Sequence, residues 1–149
     1  MAYRHILLAT GGAEHSLKAE ARAAELAKSL DAKLTVLSVM RLVGAAQGAV
    51  AGLPMEAGAL SAQVYEDLQE RQREVLEAAK RRCEAHGLSV DAVLETGSAG
   101  RLIVDVAKSR DCDLIVVGRR PLSAVGALAL GSVSDFVNRN AHCDVLIVR

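Results

Sequence analysis

Residues 113–136 read DLIVVGRRPLSAVGALALGSVSDF: an apolar run, a loop of small residues, and the opening of an amphipathic segment. Leu114-Ile115-Val116-Val117 shows no polar alternation, the pattern of a strand covered by helices on both faces. The run stops at Gly118. Beyond the loop, Ser132 opens a stretch to Asn140, and Asp135 follows it three residues later as a capping-box variant. A buried strand passing through a loop into a helix is the repeating unit of a parallel α/β sheet.

Outward from this stretch the same unit recurs. Strand-like runs fall at His5–Ala9, Lys33–Val39, Ser89–Glu95, Asp113–Gly118 and Asp144–Val148. Between them Glu14–Leu30 carries an apolar stripe of Leu17, Ala21, Ala24 and Leu26, and Ser61–His86 is a long charged helix ending at Gly87. Ser98–Ser109 places Leu102, Ile103, Val106 and Ala107 on one face. The strict alternation predicts a five-stranded parallel sheet with helices on both faces, and right-handed crossovers leave few orders for it. The helical fourth connection favours a parallel last strand. Residues 41–60, with GAAQGAVAGLP at their centre, break the rhythm and are expected to form a flexible loop. The alternative for that loop is a lid over the strand ends.

The chain has 149 residues, enough for one domain with a full core. Aromatics are only 2% of it, so Ala, Val, Leu and Ile must build that core. The same scarcity argues against single-stranded nucleic-acid binding, which stacks bases on aromatic rings. Eighteen basic residues balance 18 acidic ones, leaving no electrostatic footprint for DNA or an anionic membrane. No apolar run approaches the roughly 20 residues of a membrane span. The beginning of the chain has no secretory-signal pattern, and Cys83, Cys112 and Cys143 show no CxxC spacing. A cytoplasmic, reduced protein is expected.

Two glycine-bearing loops are the candidates for chemistry. After Gly118 come Arg119 and Arg120, which could reach a polyphosphate; then Gly131-Ser132-Val133-Ser134 meets a helix start. A helix N-terminus offers free N–H groups and partial positive charge to a phosphate. The plainer reading is that Gly131-Ser132 simply caps the helix. The first strand ends in Ala9-Thr10-Gly11-Gly12. If that strand is central, its loop and the one after Gly118 flank one crevice at the carboxyl ends of the strands, where α/β sheets bind ligands. Neither GxxxxGK[ST] nor GxGxxG is present.

These segments resemble the universal stress protein family over nearly the whole chain. The resemblance is carried by ILLATGG (residues 6–12), DLIVVG (113–118), GSVSDFV (131–137) and HCDVLIVR (142–149). The family's nucleotide-binding members carry G-x2-G-x9-G-[ST] after the fourth strand; here Gly118 opens it and Gly131-Ser132 close it. The resemblance implies a sheet of order 3-2-1-4-5, a non-catalytic stress-response role, and ATP or a related adenine nucleotide, with Mg2+ as a companion ion. Val39 would line the adenine, Val117 and Gly118 the ribose, and Gly131–Ser134 the phosphates. A homodimer through residues 144–148, or an unidentified protein partner, is also implied. Two positions depart from the pattern: Pro121 replaces the second glycine, and Thr10 stands where the first loop usually has Asp. Proline removes an N–H and fixes φ, so a dimeric interaction module without nucleotide is the alternative function.

Other chemistry is thinly supported. His5, His15, His86 and His142 are scattered, and Glu14-His15-Ser16 is a helix start rather than a triad. Cys112 and Cys143 precede two strands and would lie close together at the end opposite the crevice, as packed small residues or as a redox pair. A hydrolase or transferase on this fold is the third functional class.

Overall fold

A computed structural model describes residues 2–41, 55–119 and 132–149, with the side chains of 55–61 left aside. In chain order the elements are β1 (His5–Ala9), α1 (Glu14–Leu30), β2 (Lys33–Met40), α2 (Met55–Glu84), β3 (Val90–Thr96), α3 (Ala99–Ser109), β4 (Leu114–Gly118), α4 (Val133–Asn140) and β5 (Asp144–Val148). The sheet order is β3-β2-β1-β4-β5 and every pairing is parallel. The expected architecture is therefore present. The largest boundary difference is that α2 begins at Met55 rather than Ser61, so residues 55–60 of the expected loop are helical; the other bounds shift by two residues at most. The Ala- and Gly-rich composition around Met55, with Glu56 its one charge, resembles a loop, but Ala57, Ala59 and Leu60 are good helix formers. Residues 42–54, and the lid reading that fell on them, lie outside the described residues.

Alternation along the strands sorts side chains between two cores. Ile6, Leu8, Leu34, Val36, Leu114 and Val116 face one cluster with α1 and α2. Leu7, Leu37, Ile115 and Val117 face the other, with α3 and α4. Central β1 contributes Ile6, Leu7 and Leu8, all with no exposure. Helix α1 meets the sheet through Ala19, Ala23, Ala24 and Ala27, also fully buried. Methyl side chains let the helix axis settle close to the strands, which suits a core with almost no aromatic rings. Truncating a fully buried leucine of β1 to alanine would cost about 2–5 kcal/mol.

Polar groups tie the amino-terminal ends of the strands. The Asp113 carboxylate accepts from the Arg4 N–H at 2.9 Å and the His5 N–H at 3.0 Å. Burial alone would raise its pKa, but those N–H groups hold it below the ordinary 3.8. Tyr3 Oη donates to Asp144 Oδ2 at 2.7 Å. His5 Nδ1 lies 3.0 Å from the Arg110 carbonyl, and Nε2 lies 2.8 Å from Thr35 Oγ1. A carbonyl only accepts, so Nδ1 carries the proton and neutral Nε2 accepts from the Thr35 hydroxyl. Protonation at Nε2 would force the fully buried Thr35 to give up that donation.

His5 is accordingly held below its ordinary 6.5, first by burial and then by Lys33 and Arg110; the Arg110 carbonyl and Asp113 oppose the shift. The unfolded chain thus takes up the proton more readily than the fold. This contribution is complete above about pH 6.5 and drains as pH falls through that value toward the lower folded pKa. Urea melts at pH 7.5, 6.5 and 5.5 should show falling stability, and His5→Gln should flatten the dependence while costing about 1 kcal/mol at pH 7.5. Equal pH slopes for the two proteins would assign the effect to another group.

Candidate functional site

The chain leaves central β1 toward β2 on one side and has β4 on the other, so the ends of β1, β2 and β4 border one crevice. The register places Ala9 level with Leu37 of β2 and Val117 of β4. Ala9, Val39 and Val133 are half-buried and pack against the α3/α4 core, and Val117 is almost wholly enclosed in it. Gly11 is exposed, and among the described residues, its two chain neighbours aside, no atom lies within 4 Å of where its Cβ would stand.

Two glycines are required by close approach. A Cβ on Gly118 would lie 2.5 Å from the His15 carbonyl oxygen, so the first turn of α1 rests on the end of β4. A Cβ on Gly12, whose φ is +79°, would lie 2.8 Å from Val75 Cγ1 of α2. The Arg119 N–H donates to the Val148 carbonyl at 2.8 Å, extending the β4/β5 ladder by one rung.

At the start of α4, Ser132 Oγ accepts from the Asp135 N–H at 3.2 Å and lies 3.1 Å from Ser134 Oγ. Ser132 is therefore the N-cap, which gives the Ser132 half of the capping-box variant read from the sequence. Ser134 is 6% exposed. Arg120, Pro121 and Gly131 lie outside the described residues, so of the phosphate-loop candidates only Gly118, Arg119 and Ser132–Ser134 have described positions.

Thr10 is occupied by the protein itself. It is 5% exposed, and its N–H donates to the Leu37 carbonyl at 2.9 Å. Its carbonyl accepts from Ser38 Oγ at 3.0 Å, and its hydroxyl donates to Glu20 Oε1 at 2.7 Å. Glu20, 3% exposed, is held in turn by Arg82 through Nε at 2.7 Å and Nη2 at 3.1 Å. Gln72 Nε2 donates to Ser38 Oγ. The sequence reading passed over Glu20, Ser38, Gln72 and Arg82. A signal existed: Glu20 shares the apolar stripe of Ala24 and Ala27 at helical spacing, and a lone carboxylate there needs a partner.

The remaining candidates are quiet. Cys83, Cys112 and Cys143 are free thiols. Burial pushes Cys83 and Cys112 up to about 11 and raises Cys143, so none is prepared as a thiolate. Cys112 and Cys143 pack into the same α3/α4 cluster. Among the described residues no three His, Cys, Asp or Glu side chains gather to hold a metal ion. No helix among them is long and apolar enough to cross a membrane.

The family model described as "Universal stress protein family" matches residues 2–149. A universal stress protein of Methanocaldococcus jannaschii is 32% identical over 147 residues, covering 99% of this chain and 82% of that protein. One from Bacillus subtilis is 30% identical over 147 residues, covering 99% of each. A crystal structure of a universal stress protein in complex with cAMP superimposes with a TM-score of 0.72 at 27% identity, covering 100% of this chain and 98% of that one.

The His15 contact makes Gly118 structural before any ligand arrives. Gly118→Ala should lower stability by about 1–3 kcal/mol, because the nearest atoms are backbone and cannot swing aside. Thermal or urea melts check this; an unchanged midpoint would show that α1 can lift from β4 freely.

Proposed function

The chain belongs to the universal stress protein family, and on that premise we propose that it holds an adenine nucleotide in the crevice at the ends of β1, β2 and β4, acting by conformation rather than catalysis. The observation that carries this reading is the whole-length similarity, at 27% identity, to a universal stress protein in complex with cAMP. The reading is supported by an exposed Gly11 after β1, a strand end at Gly118 on the neighbouring β4, and two serines at the start of α4. Val39 would lie against the adenine, the main chain of Val117 and Gly118 along the ribose, and residues 131–134 about the phosphate. Arg119 and Arg120 would serve a longer phosphate chain such as that of ATP. With no carboxylate cluster among the described residues, Mg2+ would arrive on the phosphates.

A second copy of the chain is the proposed partner, added at β5. This strand closes one edge of the sheet, and Val145, Leu146 and Ile147 are only half-buried there. An apolar edge strand is protected by pairing. Three free thiols suit a reducing, cytoplasmic location. The same fold without nucleotide, as a dimeric interaction module, is the second reading. It is favoured by the saturation of Thr10 with protein partners and by Pro121 in the phosphate loop.

Mass spectrometry of a denatured extract of fresh protein should find a stoichiometric adenine nucleotide, and calorimetric titration should rank ATP, AMP and cAMP. Ser132→Ala combined with Ser134→Ala should weaken binding at least about tenfold, or about 1.4 kcal/mol. An empty extract with no thermal shift at millimolar nucleotide would overturn the reading in favour of the interaction module. Binding untouched by the two serine changes would move the phosphate elsewhere.

A further inference from the structure

Two hydrogen-bond relays run from α2 to the first glycine loop, and both end on Thr10. In one, Arg82 donates to Glu20, and the Thr10 hydroxyl donates to the same carboxylate. A carboxylate only accepts, so the single hydroxyl proton is committed, and the Thr10 oxygen faces the Gly12 N–H, 3.5 Å away, as an acceptor. In the other relay, Ser38 gives its proton to the Thr10 carbonyl and accepts from Gln72. Between Gln72 and Arg82 on the same helix, Val75 packs where a side chain on Gly12 would be. Helix α2 therefore acts on the loop from three points along its length: directly through Val75, and through Glu20 and Ser38 from Arg82 and Gln72.

A nonpolar residue at position 20 could join Ala23, Ala24 and Ala27 in the α1 face without desolvating a charge. The carboxylate instead sets direction: it dictates which way the Thr10 hydroxyl points and so what the loop offers the crevice. We infer that Glu20, Arg82 and Gln72 are positioning residues for the loop Thr10–Gly12, coupling α2 to whatever occupies the crevice. The part concerning a bound ligand rests on the nucleotide reading above; the coupling of α2 to the loop does not. By reciprocity, a ligand that stiffens the loop also steadies α2, and a perturbation of α2 loosens the ligand.

Amide hydrogen exchange by NMR on ligand-free protein tests the coupling directly. Glu20→Gln keeps the side-chain volume, and Arg82→Gln changes a half-exposed residue on another helix, so one serves if the other folds poorly. Both should speed exchange at Thr10, Gly11 and Gly12 by about tenfold while leaving Ile6–Leu8 of β1 unchanged. Arg82→Lys should recover part of the protection, because a point charge replaces the two-pronged contact. Exchange that rises equally in β1 would reduce the relay to general stabilisation and overturn the inference, as would an unchanged loop. Nucleotide affinity of the same variants should fall in the same order; affinity that stays constant while the loop loosens would sever the ligand from the coupling. A wild-type protein that binds no adenine nucleotide would remove the proposed ligand but leave the exchange comparison intact.

Discussion

Helix α1 packs on the sheet mainly through alanines, and the crevice depends on that contact. Ser16 and Glu20 share its buried face with Ala19, Ala23, Ala24 and Ala27; the alanines, and the His15 carbonyl set against Gly118, are its close contacts. A larger residue at any of these contacts would lift the helix from the strands, since a packed interior has no slack to absorb it. At this distance Glu20 can reach the Thr10 hydroxyl, and the glycine loop can turn back over the end of β1. Close packing thus sets the position of the polar groups; the polar groups do not set the packing.

Opposite the crevice, polar contacts do a different job. Asp113 draws the start of β4 to the start of β1, His5 joins β1 to β2 and to the end of α3, and Tyr3 reaches Asp144 at β5. These bonds cross from strand to strand and fix register where the ladder begins. At the other end, Thr10 is bonded both to β2, through Leu37 and Ser38, and to α1, through Glu20. One end of the sheet is therefore pinned mainly from strand to strand, and the other is held from the helical layer as well as from β2.

Much of the fold was legible because strand and helix periods are separate signals in this chain. Five runs of branched apolar residues alternate with stripes at helical spacing, and β1, α1 and β5 fall at the expected bounds. Ser98 and Ser132, read as first helical residues, are N-caps just outside α3 and α4. The start of α2 was hidden because a run of Ala, Gly and Leu with little charge satisfies both a loop and a helix. For the candidate site, the loops themselves were legible from glycine and serine placement, but the partners of Thr10 were not. Glu20, Ser38, Gln72 and Arg82 lie on three elements, and nothing local in the sequence announces that their side chains meet. The signs were indirect: a carboxylate in an alanine stripe, and hydroxyls inside an otherwise apolar strand.

The alanine-rich core has an optical consequence. The chain holds no tryptophan, two tyrosines and one phenylalanine. It therefore absorbs very little near-ultraviolet light and lacks indole emission altogether. Any adenine ring carried in the crevice would dominate the absorption spectrum of the purified molecule, so the empty and filled states would differ in colour to a spectrophotometer before any assay is run.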